Sequence, residues 1–222
     1  MIRDWLDLAA VVVGALAGVL VSQERRLDLV GYIGMCMICA LGGGLLRDAI
    51  MQVGDVYVLN SKWPIPLCVI TALVGFAFPS LVTRHPRLYE WVDMLSVAMF
   101  VVAGSSKALA YDLHASAAVL MGIITGVGGG MLRDVFLGDV PHVFRKSNFY
   151  ALCAVAGSLC YYLCDRVLLL EPVASACCTV GVVILSRRIS LHYDIQSPTE
   201  MGLEQKVREV HREMSRRHDS ES

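Results

Sequence analysis

Charge is what this sequence has least of: Asp, Glu, Lys and Arg together make up 18% of its 222 residues, against about 25% in an ordinary soluble domain. With 56% apolar residues and a mean hydropathy of +0.59, the composition is not that of a water-soluble globule. The formal net charge is -1 and the basic residues are scattered among apolar stretches, so no continuous positive face is offered to nucleic acid. No HExxH or comparable spacing joins the six histidines, and no metal site is assigned. Cys36 and Cys39 form a CxxC, but without the second ligand pair of a structural zinc site or the setting of a redox motif. All eight cysteines fall inside apolar runs, where a thiol behaves as a small apolar side chain. A GxSxG nucleophile and a Walker loop are both missing, which argues against a hydrolase and against ATP-driven pumping by this chain alone. The chain reads as a non-enzyme with no cofactor.

What the chain has instead is long apolar runs. Seven of them, centred on 5–22, 29–53, 63–83, 91–109, 113–137, 147–164 and 171–186, approach membrane-spanning length, since a bilayer core of about 30 Å takes about 20 helical residues. The first is read as a retained helix rather than a secretory signal, because Asp4 and Asp7 stand where a basic region is needed. Positive charge sets the orientation. Arg25 and Arg26, Arg84 and Arg87, Arg145 and Lys146, and Arg187 and Arg188 fall on one side, while the other receives Arg3, Lys62, Lys107 and Arg166. The paired side is predicted to be cytoplasmic, with the N-terminus outside a cell inner membrane and the C-terminus inside. Ser197, Pro198 and Glu200 then read as a capping box, and Leu203, Val207, Val210 and Met214 as the apolar stripe of a short cytoplasmic helix.

The most informative feature is an internal repeat. GGGLLRD at 42–48 recurs as GGGMLRD at 128–134, and the same offset of 86 residues pairs Trp5 with Trp91, Asp7 with Asp93, Val11 with Val97, Ala17 with Ala103 and Gly18 with Gly104. Each copy holds three spans, so the second must enter the membrane from the opposite face. The predicted fold is an all-α integral membrane protein of seven transmembrane helices: a first three-helix repeat over 1–86, an inverted second over 87–168, a seventh helix over 169–189 and a cytoplasmic tail over 190–222.

Inverted repeats recur in transport proteins, with the path at the repeat interface and key helices broken near mid-membrane. Gly42, Gly43 and Gly44, like Gly128, Gly129 and Gly130, sit near the middle of their spans. Three glycines cost about 3 kcal/mol of helix propensity, which predicts a kink or an unwound turn; close helix packing by small residues is the other reading. Arg47 with Asp48 and Arg133 with Asp134 follow the triplets. Intramembrane ionisable groups are costly and mark pathways, although each pair could instead pin a bent helix. Asp7 and Asp93 are placed either to neutralise these arginines or to reach the interface, and Lys107 either to respond to voltage or to anchor its span.

With the duplicated GGGxLRD and the paired WxD, the chain resembles the prokaryotic branch of the trimeric intracellular cation (TRIC) channel family over about residues 4–187. The resemblance implies a homotrimer in membrane lipid, each protomer holding its own pore for potassium and other monovalent cations. It makes Gly42 to Gly44 and Gly128 to Gly130 the kinks, puts Arg47, Asp48, Arg133 and Asp134 beside the pore, and matches Lys107 to a fourth-helix lysine linked to voltage response. The lysine-rich lipid-binding motif of animal members is missing, which removes the basis for control by inositol lipids. The same bacterial domain is also described as a glycine transporter. Physics leaves both open: carbonyls before a break favour a cation, N–H groups and an arginine after it favour an anion, and a zwitterion such as glycine uses both. Tyr111 with Asp112 and Gly138 with Asp139 resemble the paired motifs of intramembrane aspartyl proteases, but Phe136 stands where the second motif requires glycine.

Overall fold

The structure is a computed structural model, and residues 2–79, 88–144 and 150–193 of it are described. The tail helix expected after Ser197 lies outside those residues, as do Arg84, Arg87, Arg145 and Lys146 of the charge pattern. The described residues contain eight α-helices: α1 (Ile2–Glu24), α2 (Leu29–Met51), α3 (Tyr57–Asn60), α4 (Pro64–Ala77), α5 (Leu88–Ala110), α6 (Ala115–Phe136), α7 (Tyr150–Tyr162) and α8 (Pro172–His192). A π-helical turn, Leu163–Val167, extends α7.

Local chemistry sets several helix ends. The Asp28 carboxylate accepts the Gly31 N–H at 2.8 Å and caps α2. Pro64 and Pro172 open α4 and α8, where the missing N–H costs nothing. At the far end of α2 the chain leaves through Gln52 in the left-handed region, φ 50°.

Five helices are long and apolar enough to cross a membrane: α1 from Trp5 onward, α2, α5, α6 and α8. One of the expected spans is shorter: within 63–83 the helix is α4, of 14 residues. Among the described residues the sixth run is α7 from Tyr150, continued by its π turn.

One packed group is formed by α1, α2 and α4 around Val11, Ala15, Val19, Tyr32, Cys36 and Cys68. A second is formed by α5, α6, α7 and α8 around Val97, Ala98, Val101, Val127, Ala154 and Val183. Small residues bring the helices together, as is usual where lipid removes the hydrophobic drive for association. A Cβ on Gly18 would lie 2.9 Å from the Met35 carbonyl oxygen, and one on Gly104 would lie 2.5 Å from that of Met121. These two contacts are the same contact displaced by 86 residues. The groups meet where α1 packs on α5 and α2 on α6.

Candidate functional site

Both glycine triplets lie inside uninterrupted helix, so the expected unwound turn is absent. The physical reason is on the facing helix. A Cβ on Gly43 would lie 2.3 Å from the Thr125 carbonyl oxygen, and one on Gly129 would lie 2.8 Å from that of Cys39; positions 39 and 125 are themselves 86 apart. Gly42 faces Leu132 and Gly128 faces Leu46 in the same reciprocal way. Position i of one copy thus meets position j of the other, and j of the first meets i of the second, which is the signature of an isologous, two-fold contact. The glycines let two backbones touch while each helix keeps its main-chain hydrogen bonds, which an unwound turn in a bilayer would forfeit.

The ionic residues form two clusters. In the first, Arg47 Nε donates to Asp48 Oδ1 at 2.7 Å, and its Nη1 donates to Asp7 Oδ1 at 3.2 Å and to the Ala103 carbonyl at 3.3 Å. Asp48 also accepts Lys107 Nζ at 2.7 Å and the Tyr57 N–H at 2.9 Å. In the second, Arg133 Nε donates to Asp134 Oδ1 at 2.9 Å, its Nη2 lies 2.9 Å from the same oxygen, and Nη1 donates to Asp93 Oδ1 at 3.2 Å. Asp134 accepts the His142 N–H at 2.9 Å and lies 2.8 Å from His142 Nδ1. The sequence left Asp7 and Asp93 two roles, and both pair with the arginines. Lys107, left between voltage response and anchoring, belongs to the first cluster and also donates to the Asp55 carbonyl at 2.8 Å.

The clusters are alike in plan and unequal in detail. The Arg47 and Arg133 side chains are 1% and 4% exposed, and a buried cation persists only with carboxylate partners. Among the described residues Arg47 Nη2 has no acceptor, whereas both terminal nitrogens of Arg133 are engaged. Lys107 has no basic counterpart, since the position 86 residues earlier is Val21, buried beside Met35 and Cys39.

Asp7, in the first cluster, and Arg25, which pairs with Asp139 five residues after Asp134, mark the two ends of α1, about 27 Å apart at 1.5 Å per residue. Each cluster borders a cavity. The first, of 480 Å³, is lined by Asp7, Asp55, Tyr57, Asn60, Ser106 and Lys107. The second, of 230 Å³, is lined by Tyr89, Glu90, Asp93, His142 and Arg187 among others. Between the second cluster and the glycine crossing lies a void of 10 Å³ touching Ala17, Cys39, Gly129 and Arg133, about the room one water needs. Among the described residues no group of three His, Cys, Asp or Glu side chains is arranged to hold a metal ion.

Sequence reasoning missed the backbone anchors. The N–H groups of Tyr57 and His142 clamp Asp48 and Asp134 from the segments after α2 and α6, and Arg25 reaches Asp139. Only the position of His142 soon after Asp134 could have hinted at this.

A family model described as "Glycine transporter" matches the chain twice, over residues 4–80 and again over 90–166, each match displaced by the repeat offset. The UPF0126 inner membrane protein YadS of Escherichia coli K12 is 32% identical over 161 residues, covering 71% of this chain and 76% of that one. A UPF0126 membrane protein of Deinococcus radiodurans is 32% identical over 155 residues, covering 69% and 72%. Among solved structures, the TRIC trimeric intracellular cation channel orthologue from Rhodobacter sphaeroides superposes with a TM-score of 0.78 at 23% identity, over 87% of this chain and 99% of that one. A prokaryotic TRIC channel in 0.5 M KCl gives 0.75 at 24% identity, over 87% and 98%. The chain is therefore a multi-pass membrane protein that belongs to the Glycine transporter family and shares the fold of the TRIC channels.

Proposed function

We propose that the protein is a gated channel for potassium and other monovalent cations, held here in a closed state. The observation that carries this reading is the pair of cavities, one bordered by each arginine–carboxylate cluster, with the glycine crossing between the clusters. Asp7 and Asp55 line one mouth beside Lys107, and Glu90 and Asp93 the other beside Arg187; two carboxylates to one basic side chain at each mouth favour cations. The ion path runs past Gly42 to Gly44 and Gly128 to Gly130, with Arg47, Asp48, Arg133 and Asp134 as its two barriers. Seven crossings, arranged as two inverted three-helix repeats and a seventh helix, place the Lys107 cluster at the outer face and the His142 cluster at the cytoplasmic face. The protomer assembles as a homotrimer in the cell membrane, each copy with its own path; the likeness to a trimeric intracellular cation channel supports this.

A second reading is favoured by the family description: a secondary transporter of a small zwitterion such as glycine, for which each barrier supplies both a guanidinium and carboxylates. Single-channel recording of the purified protein in a planar bilayer under a potassium chloride gradient separates the two. Unitary currents reversing near the potassium potential, with altered voltage dependence in Arg47→Gln or Arg133→Gln, are the expected result. Silence at every voltage, with saturable glycine uptake into liposomes, would replace the channel by the transporter.

A further inference from the structure

Helix α5 runs from one ionic cluster to the other and carries an aromatic ring halfway. Asp93, Phe100 and Lys107 follow one another at intervals of seven residues, which sets them on one face of α5 at steps of about 10.5 Å. Asp93 pairs with Arg133 and Lys107 with Asp48, so Phe100 stands midway between the clusters. It is 5% exposed. Phe100 is the one aromatic among the described residues lining the 10 Å³ void, which also touches Cys39 on α2 and Gly126 and Gly129 on α6. The ring extends as far as α1: a Cβ on Gly14 would lie 2.9 Å from Phe100 Cε2 and 3.0 Å from the Cys39 carbonyl oxygen.

Gly14 is the residue 86 positions before Phe100. Asp7, Gly14 and Val21 on α1 therefore repeat the register of Asp93, Phe100 and Lys107 on α5, and the two central positions face each other across the two-fold contact. A second phenylalanine has no place there, since even the methyl group of an alanine at position 14 would press on the ring. One copy supplies the ring and the other supplies the room for it, at the point where α1, α2, α5 and α6 come together.

We propose that Phe100 is the hydrophobic gate of the passage: seated against Gly14, its ring keeps the stretch between the two clusters dry, and the passage opens when the ring leaves that seat. An apolar constriction stops ions by excluding the water that accompanies them, and the void beside the ring has room for about one water. The carboxylates and arginines on each side set which charge approaches, and the ring sets whether a hydrated ion crosses. The effect on current rests on the channel reading above; the shielding of Cys39 by the ring does not.

The void supplies its own reporter, the buried thiol of Cys39. The full-length protein in detergent is treated with aminoethyl methanethiosulfonate, a small water-soluble cation that adds to thiols, and modification of Cys39 is followed by peptide mass spectrometry. Cys39 should react several-fold faster in Phe100→Ala than in the native protein. Phe100→Leu, which removes less of the core, should shift the rate in the same direction. Val101→Ala thins the same helix where it packs with Ala154 and Val183, and should leave Cys39 at its native rate. Equal rates in native protein and Phe100→Ala, or an equal acceleration in Val101→Ala, overturns the proposal. In planar bilayers under a potassium chloride gradient, Phe100→Ala should spend several-fold more time open. Native open times in that variant would overturn the gate and leave the channel standing. Silence of every sample, with Cys39 still uncovered by Phe100→Ala, would count against the channel reading and leave Phe100 as the plug of a different kind of passage.

Discussion

Alanine at Gly43 and alanine at its neighbour Gly44 should move stability in opposite directions. At Gly43 the added Cβ would lie 2.3 Å from the Thr125 carbonyl oxygen and 3.3 Å from the Gly129 nitrogen, both main-chain atoms of α6. The nearer distance falls about 1 Å short of an ordinary contact, so a whole helix must retreat, and overpacking of that kind costs about 1–3 kcal/mol. At Gly44 nothing lies within 4 Å of the added Cβ, so alanine there only gains helix propensity, about 1 kcal/mol. The two variants should therefore differ by about 2–4 kcal/mol, and at about 2–4 °C per kcal/mol for a chain of this length their melting temperatures should separate clearly. Tryptophan fluorescence of the detergent-purified protein during heating is the assay, with Trp5, Trp63 and Trp91 as reporters. Gly43→Ala should melt below the native protein and Gly44→Ala at or above it. If the two melt together, the close approach of α2 to α6 is not what these glycines provide.

Four further outcomes follow from the ionic clusters and the topology. Arg133→Met leaves Asp93 and Asp134 without their buried cation, a loss of about 3–5 kcal/mol, and the double variant with Asp134→Asn should recover part of it; a native melting curve for the single variant would contradict this pairing. Lys107→Met should cost less than Arg47→Met, because Asp48 keeps both Arg47 Nε and the Tyr57 N–H. In bilayers Lys107→Met should also flatten the voltage dependence of opening, and an unchanged voltage curve would return Lys107 to a structural part. In a cysteine-free background, an impermeant maleimide applied to intact cells should label Lys62→Cys and spare Phe144→Cys; the reverse pattern would invert the proposed orientation.

Much of the helical frame was legible because its signals are local or periodic. Apolar runs located α1, α2, α5, α6 and α8, and the offset of 86 residues paired Asp7 with Asp93 and Arg47 with Arg133 before any geometry was known. The absence of an unwound turn at the glycine triplets has a definite cause. Propensity counts what a glycine costs its own helix, whereas the compensating term sits on another helix, at Thr125 and Cys39, and no window along the chain contains both. The bond between Lys107 and Asp48 was illegible for the same reason, since it joins α5 to α2 across 59 residues. The short α3 and the π turn at Leu163–Val167 carry no proline or glycine that would mark them. The Arg and Asp residues of the repeated motif were legible as candidate site residues, but their division into two clusters needed the packing of α1 on α5.

The unequal clusters bear on what a fused duplication makes possible. Two separate copies of one unit, paired about a two-fold axis, must carry the same residue at both ends of the assembly. Once both copies are covalently joined, position 107 can be lysine while position 21 is valine, and Arg47 can keep a spare donor that Arg133 has spent. The ends then differ in charge and in how tightly each is held. The proposed passage, running between such ends, would have a direction built into it, so equal and opposite driving forces need not move equal amounts of solute.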